Sequence, residues 1–319
     1  MTSDTSRSQE QPTRTSLVTG GTDGIGRAVA TRLAAAGDRV LVTGRDPARG
    51  QQVLDKLGQL NPRAEHAYLP ADLALLSETA RLAGAVLERT DPVDAVVCCA
   101  GVFSLVPEWT DEGLERALVV NYLSRYLLGR LLLPALSRSP SGRLVLVANA
   151  GRYRDSLDFD DLQHRRGKPG LVVAARTQFA NDLWAVELSQ RLQDSRVEVT
   201  CVFPGVVKTS LFQHATGLSR VARRLAPLVV ALLGRSADTA ADTPAWLAHD
   251  EQAVGSGGRF YGARRRPLRV PERARRRDRR RQLWTASEDL VRGYLPPDLE
   301  PGAARWDGSA EQSAGTLWS

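Results

Sequence analysis

The run Leu17-Val-Thr-Gly20-Gly-Thr-Asp-Gly24-Ile-Gly26 constrains this chain most, because an apolar stretch passes without a break into a glycine-rich turn and then an amphipathic helical pattern. Glycine suits such a turn because a Cβ would hold a pyrophosphate away from the helix N-terminus. Unpaired N–H groups and the helix macrodipole favour an anion there. The strand before the turn and the helix after it supply the context that separates a nucleotide-binding turn from an ordinary tight one. Gly20, Thr22, Gly24, Ile25 and Gly26 are therefore candidate cofactor-binding residues.

The same alternation continues down the chain. Apolar runs at Leu17 to Thr19, Val40 to Thr43, Ala95 to Cys99, Arg143 to Ala148 and Val197 to Phe203 predict strands buried on both faces. Between them, Gly24 to Ala36, Pro47 to Gln59, Leu75 to Arg89, Asp111 to Ser137 and Thr177 to Leu192 place apolar residues at helical spacing. This order predicts a Rossmann-type α/β fold: a doubly wound parallel sheet flanked by helices, in a single domain, with right-handed crossovers. The domain is expected over residues 15–295, after a disordered polar lead over 1–14 and before a disordered tail over 296–319. Beyond Pro204 the pattern loosens. The apolar stretch Leu225 to Leu233 is too short to span a bilayer, and it predicts a lid over about 211–235. Ala237 to Ala248 and Arg280 to Arg292 predict helices, and Arg259 to Gly262 a last short strand.

With 42% apolar and 25% charged residues, the 319-residue chain can cover both faces of a sheet, which excludes disorder of the bulk. No apolar stretch reaches the ~20 residues of a spanning helix, and the first residues lack an apolar signal segment, so a cytoplasmic location is expected. Cys98, Cys99 and Cys201 fit neither a disulfide framework nor a zinc spacing and are expected to be reduced core residues. The net charge of +7 is local. From Arg264 to Arg281, eleven arginines against Glu272 and Asp278 carry +9, leaving −2 for the remainder. Lacking interleaved aromatics, this run reads as a solvated connection, and no nucleic-acid partner is expected.

At the end of the second strand, Gly44-Arg45 stands where a site for an unphosphorylated ribose places Asp or Glu. The forked donors of Arg45 suit a 2′-phosphate, so NADP(H) is favoured over NAD(H), although Asp46 follows at once. These features resemble the short-chain dehydrogenase/reductase family, in particular its retinol-dehydrogenase-like branch, over about Thr15 to Leu295. The resemblance implies that Asp72 and Leu73 meet the adenine ring and that Ala100-Gly101 flanks the cofactor. It further implies that Asn121 holds a water of a proton relay and that Pro204-Gly205-Val-Val-Lys-Thr209 closes over the nicotinamide. Trp284 matches a Leu-Trp pair of that branch, and homo-oligomer formation through the helices from Asp111 and Thr177 is a further implication.

The family orients a carbonyl with Ser, moves its proton with Tyr, and lowers the Tyr pKa with Lys. In the register that the resemblance fixes, Asn149 stands at the Ser position, Ala174 at the Tyr position and Gln178 at the Lys position. Losing a positioned acid costs about 10²- to 10⁴-fold in rate. The catalytic candidates that remain are Asn121, Asn149 and Tyr153. Asp155, Asp158, His164 and Lys168 on the same loop suit solvated or capping roles better. Three readings follow: non-redox acid/base chemistry beside a bound nucleotide, an atypical NADP(H)-dependent oxidoreductase, and a non-catalytic nucleotide-binding partner or sensor. Phe103, Trp109, Phe212 and the expected lid predict a small, largely apolar substrate of the specialised-metabolite kind.

Overall fold

Strands rich in Val and Leu, buried along their whole length, build the centre of the protein, as seen in a computed structural model that describes residues 13–205, 207, 216–217 and 235–297. The elements run β1 (Thr15–Thr19), α1 (Gly24–Ala35), β2 (Arg39–Gly44), α2 (Pro47–Leu60), β3 (Ala67–Pro70), α3 (Leu76–Leu87) and β4 (Ala95–Cys98). They continue with α4 (Arg116–Leu118), a π-turn (Val119–Leu123), α5 (Ser124–Arg138), β5 (Arg143–Val147), α6 (Leu171–Arg191) and β6 (Glu198–Phe203). α7 (Ala237–His249), β7 (Phe260–Gly262), β8 (Pro267–Leu268), α8 (Glu272–Arg275) and α9 (Arg277–Val291) complete the main described elements.

The sheet order is β3-β2-β1-β4-β5-β6-β7-β8, parallel from β3 to β7 with β8 antiparallel at the edge. Because successive strand residues point to opposite faces, the strands split the core in two. Leu17, Val96, Leu144 and Leu146 pack with α3, α5, α6 and α9, whereas Val18, Val97, Val145 and Val147 pack with α1, α2 and α7. The strand order runs outward in both directions from β1 and β4, and this switch point opens a crevice at the strands' carboxyl ends.

The expected single-domain α/β architecture is therefore present, with local differences. β3 escapes the sequence pattern, being four residues long, ending in Pro70 and only partly buried. α6 begins at Leu171 rather than Thr177, because packing overrides the strand preference of the β-branched Val172-Val173. The helix expected from Asp111 starts at Arg116 and passes through the π-turn that contains Asn121. Most of the lid expected over 211–235 lies outside the described residues, as do Thr209, Phe212, residues 1–12 and residues 298–319.

Candidate active site

The carboxyl ends of β1, β2, β4, β5 and β6 open into one cleft of about 1030 Å³, at the upper end of the range for small-molecule sites. Every described cofactor-binding candidate, from Gly20 to Gly205, lines it, and so do Asn121, Asn149 and Tyr153.

At one end lies the glycine turn. Gly20 has φ +63°, and a Cβ there would stand 2.9 Å from the Ala100 Cα. A Cβ on Gly26 would stand 2.2 Å from the Gly20 carbonyl oxygen, so the turn reaches this tightness only with glycine. Asp23 caps α1, accepting from Gly24 N at 2.7 Å, and the first helical turn borders the cleft at Gly24, Ile25 and Gly26. These residues fit the pyrophosphate of a dinucleotide.

The neighbouring corner holds Arg45, Arg49, Asp46 and Asp72. Asp46 is committed to capping α2, accepting from Ala48 N at 3.0 Å and Arg49 N at 3.2 Å, and it lies 3.4 Å from Arg49 Nε. Asp72 accepts from Ala74 N at 3.0 Å. Arg45 approaches Asp72 only at 3.9 Å, with its side chain 61% exposed, so its fork of donors remains open to a ligand.

The floor is polar and buried. Asn121, fully enclosed in the π-turn, clamps Val102 from both sides: Oδ1 accepts from Val102 N at 2.8 Å, and Nδ2 donates to Val102 O at 3.0 Å and to Thr177 Oγ1 at 3.1 Å. Its main-chain carbonyl accepts from Asn181 Nδ2 at 2.9 Å. Arg125, one turn on, donates through Nη2 to Ala100 O at 2.6 Å and through Nη1 to Asn181 Oδ1 at 3.3 Å. Burial pulls this guanidinium below its ordinary value, opposed by the nearby thiols of Cys98, Cys99 and Cys201. These thiols are free, and burial raises each of them. Sequence reasoning missed Arg125; the signal was an arginine set among the apolar and aromatic neighbours Tyr122, Leu123, Tyr126 and Leu127.

At the far end, Asn149 sits half-buried just past β5, its side-chain amide without a bond to any described residue. Ala174 lies buried in the first turn of α6, and Gln178 one turn on lines the cleft with its Oε1 buried and unpaired. Burial alone pushes the half-buried Tyr153 phenol above its ordinary value, with no described cation acting to lower it. It is thus a neutral hydrogen-bond donor, not an activated phenolate.

The loop carrying Tyr153 is fastened from behind by the arginine-rich segment, which is not the solvated connection expected from its composition. Arg273 donates to Tyr153 O at 2.7 Å and to Gly151 O at 2.8 Å. Arg279 grips Asp155 with two bonds of 2.7 Å. Asp182 accepts from Gly151 N at 2.9 Å, and burial lifts its carboxyl to about 8. Asp158 caps a 3-10 turn through Asp160 N, and His164 stays at the surface with a ring nitrogen 3.0 Å from Lys168 O. Phe103 lines the cleft, whereas Trp109 lies off it beneath the Arg165 guanidinium.

A family model described as short chain dehydrogenase matches residues 14–156. Polyprenol dehydrogenase of Mus musculus is 35% identical over 284 residues, covering 86% of this chain and 82% of the relative. Retinol dehydrogenase 13 of Homo sapiens is 32% identical over 286 residues, covering 88% and 85%. Among solved structures, an uncharacterized protein from Mycobacterium paratuberculosis superposes with TM-score 0.67 at 24% identity, covering 89% of this chain and 96% of that one. A protein of Escherichia coli CFT073, described as a short chain dehydrogenase and solved in complex with NADPH, gives TM-score 0.60 at 25% identity, covering 79% and 96%. Sequence likeness across most of both chains, joined to the glycine turn and the sheet order, shows that this chain belongs to the short-chain dehydrogenase/reductase family, in its retinol-dehydrogenase-like branch.

Proposed function

We propose that the chain is an NADP(H)-dependent oxidoreductase for an apolar alcohol or its carbonyl, working with an altered proton-transfer set. The observation that carries this reading is the single cleft in which the glycine turn, the open Arg45 fork and the half-buried, unbonded amide of Asn149 meet. Asp46 is occupied as a helix cap, which supports Arg45 as the residue that discriminates the ribose substituent. Relatives named for polyprenol and retinol support an apolar substrate, as does Phe103 in the cleft wall. No described helix is long and apolar enough to cross a membrane.

The dinucleotide supplies or accepts the hydride when bound. Of the chain's own residues, Asn149 donates a hydrogen bond toward a substrate oxygen, and Tyr153 serves as a neutral donor at the loop edge. Asn121 fixes Val102, which keeps Ala100-Gly101 in place beside the cleft. No described cation lowers the Tyr153 phenol, so proton delivery falls to weaker donors and turnover is slow.

Non-redox acid/base chemistry is the second reading. It rests on Asn149, Ala174 and Gln178 at the positions of the family's Ser, Tyr and Lys, and relatives named as dehydrogenases lend it no support. Titrating NADPH by its fluorescence and then following nicotinamide absorbance with a panel of apolar aldehydes tests the proposal. The expected result is saturable binding and slow, aldehyde-dependent oxidation. Absent binding overturns the cofactor assignment, while binding without oxidation, together with no reduction of NADP⁺ by the matching alcohols, overturns the redox assignment.

A further inference from the structure

We propose that Arg152 seats a carboxylate of the substrate, so that the cleft takes an apolar alcohol or carbonyl compound that also carries an acid group. This rests on the reading of the cleft as an oxidoreductase site and names its substrate class further. Five arginines line the cleft, and four of them are engaged. Arg49 lies 3.3 Å from Asp23 and 3.4 Å from Asp46, Arg116 lies 3.0 Å from Glu108, and Arg45 approaches Asp72 at 3.9 Å. Arg125 donates to Ala100 O and Asn181 Oδ1. Arg152 is the exception: its guanidinium meets neither a carboxylate nor a hydrogen-bond acceptor among the described residues.

Its place is fixed all the same. The Arg152 main-chain N–H donates to Asn149 O at 2.9 Å, closing a turn just past β5. The guanidinium carbon lies 4.5 Å from the centroid of the Phe203 ring, a cation–π contact that holds the side chain over the end of β6 and leaves its fork of N–H donors unspent. The residues on either side are tied down, because Arg273 donates to both Gly151 O and Tyr153 O. A guanidinium stacked on a ring and free of acceptors is preorganised for the planar, two-oxygen geometry of a carboxylate.

The distribution of charge points the same way. Of the carboxylates that line the cleft, Asp23, Asp46 and Asp72 belong to the nucleotide end, and Glu108 is matched by Arg116, so none remains for Arg152. A second cation stands nearby on the chain. Arg235 lies against Gly205, where an added Cβ would be 3.2 Å from its Nε, and it too lacks a carboxylate among the described residues. Phe203 and Gly205 both line the cleft, so two unmatched arginines flank one short stretch of its wall. The cofactor phosphates belong at the glycine turn and Arg45, at the other end, so an anion received here comes from the substrate.

The test titrates decanoate and 1-decanol, which share an apolar tail and differ in charge, into the NADPH-loaded protein by calorimetry. Decanoate should bind the unaltered protein more tightly than decanol, and high salt should narrow the difference. Arg152→Gln should weaken decanoate about fivefold, the upper range for an exposed ion pair, and leave decanol and NADPH within about twofold. Arg152→Lys, which keeps the charge but loses the planar fork, should fall between Arg152→Gln and the unaltered protein. Decanoate affinity unchanged by Arg152→Gln, equal weakening of both ligands, or tighter binding of decanol by the unaltered protein overturns the inference while leaving the oxidoreductase reading intact. If the unaltered protein does not bind NADPH, the cofactor reading fails by itself, and the same titrations on the protein alone decide the role of Arg152 by the same outcomes.

Discussion

Returning a phenol, an ammonium and a hydroxyl through Ala174→Tyr, Gln178→Lys and Asn149→Ser should raise carbonyl reduction if the altered proton-transfer set limits the rate. Positions 174 and 178 are four apart on α6, so their side chains rise from Cβ atoms about 5–6 Å apart. At an effective dielectric of about 20, unit charges about 5 Å apart interact by about 3 kcal/mol, which lowers a phenol by about two pKa units. That offsets the upward push that burial gives Tyr153 and would give a new tyrosine. A positioned acid is worth about 10²- to 10⁴-fold, so NADPH oxidation by an apolar aldehyde should rise at least about a hundredfold. Initial rates check the gain, and thermal melts check that the triple variant is folded. A folded triple variant that binds NADPH yet gains no rate would refute the register that assigns 174 and 178 to these roles.

Three further outcomes are expected. Arg45→Ala should weaken NADPH about five- to tenfold, an effect kept small by the side chain's exposure, while leaving NADH within about twofold; equal weakening of both would remove its phosphate role. Asp182, lifted to about 8, stays protonated in the folded protein while the unfolded chain ionises near pH 4, so stability should fall as pH rises from about 4 to 8. Asp182→Asn, which keeps an acceptor for Gly151 N, should flatten that slope in pH-dependent melting, and an unchanged slope would contradict the assignment. Arg279→Ala strands Asp155 and removes a guanidinium 4.3 Å from the Phe159 ring, so a loss of about 2 kcal/mol is expected in denaturant unfolding, and an unshifted midpoint would be inconsistent with a fastening role.

Much of the architecture is legible in the chain because central parallel strands must be apolar on both faces, and the runs around Leu17, Val42, Val96 and Val145 carry that signal directly. The glycine turn is equally legible, since Gly20 and Gly26 stand where backbone meets backbone and no other residue fits. What stays hidden depends on contacts between distant segments. Edge strands β3 and β8 draw their stability from one neighbour each, so their short sequences carry little pattern. Arg273 and Arg279 look like members of a charged run until the fold brings them to Gly151, Tyr153 and Asp155, more than a hundred residues away in sequence. Arg125 is hidden for the same reason, because only the fold shows that no described carboxylate meets it.

Beyond the glycine turn the cleft is lined by the amides of Asn149 and Gln178, which we read as standing where the family uses a hydroxyl and an ammonium. A crystal structure of the NADPH complex would decide this reading. The pyrophosphate should lie at Gly24 to Gly26, and the Asn149 amide should face the nicotinamide ring. A tyrosine hydroxyl paired with a lysine ammonium beside that ring, or a dinucleotide bound elsewhere, would contradict it.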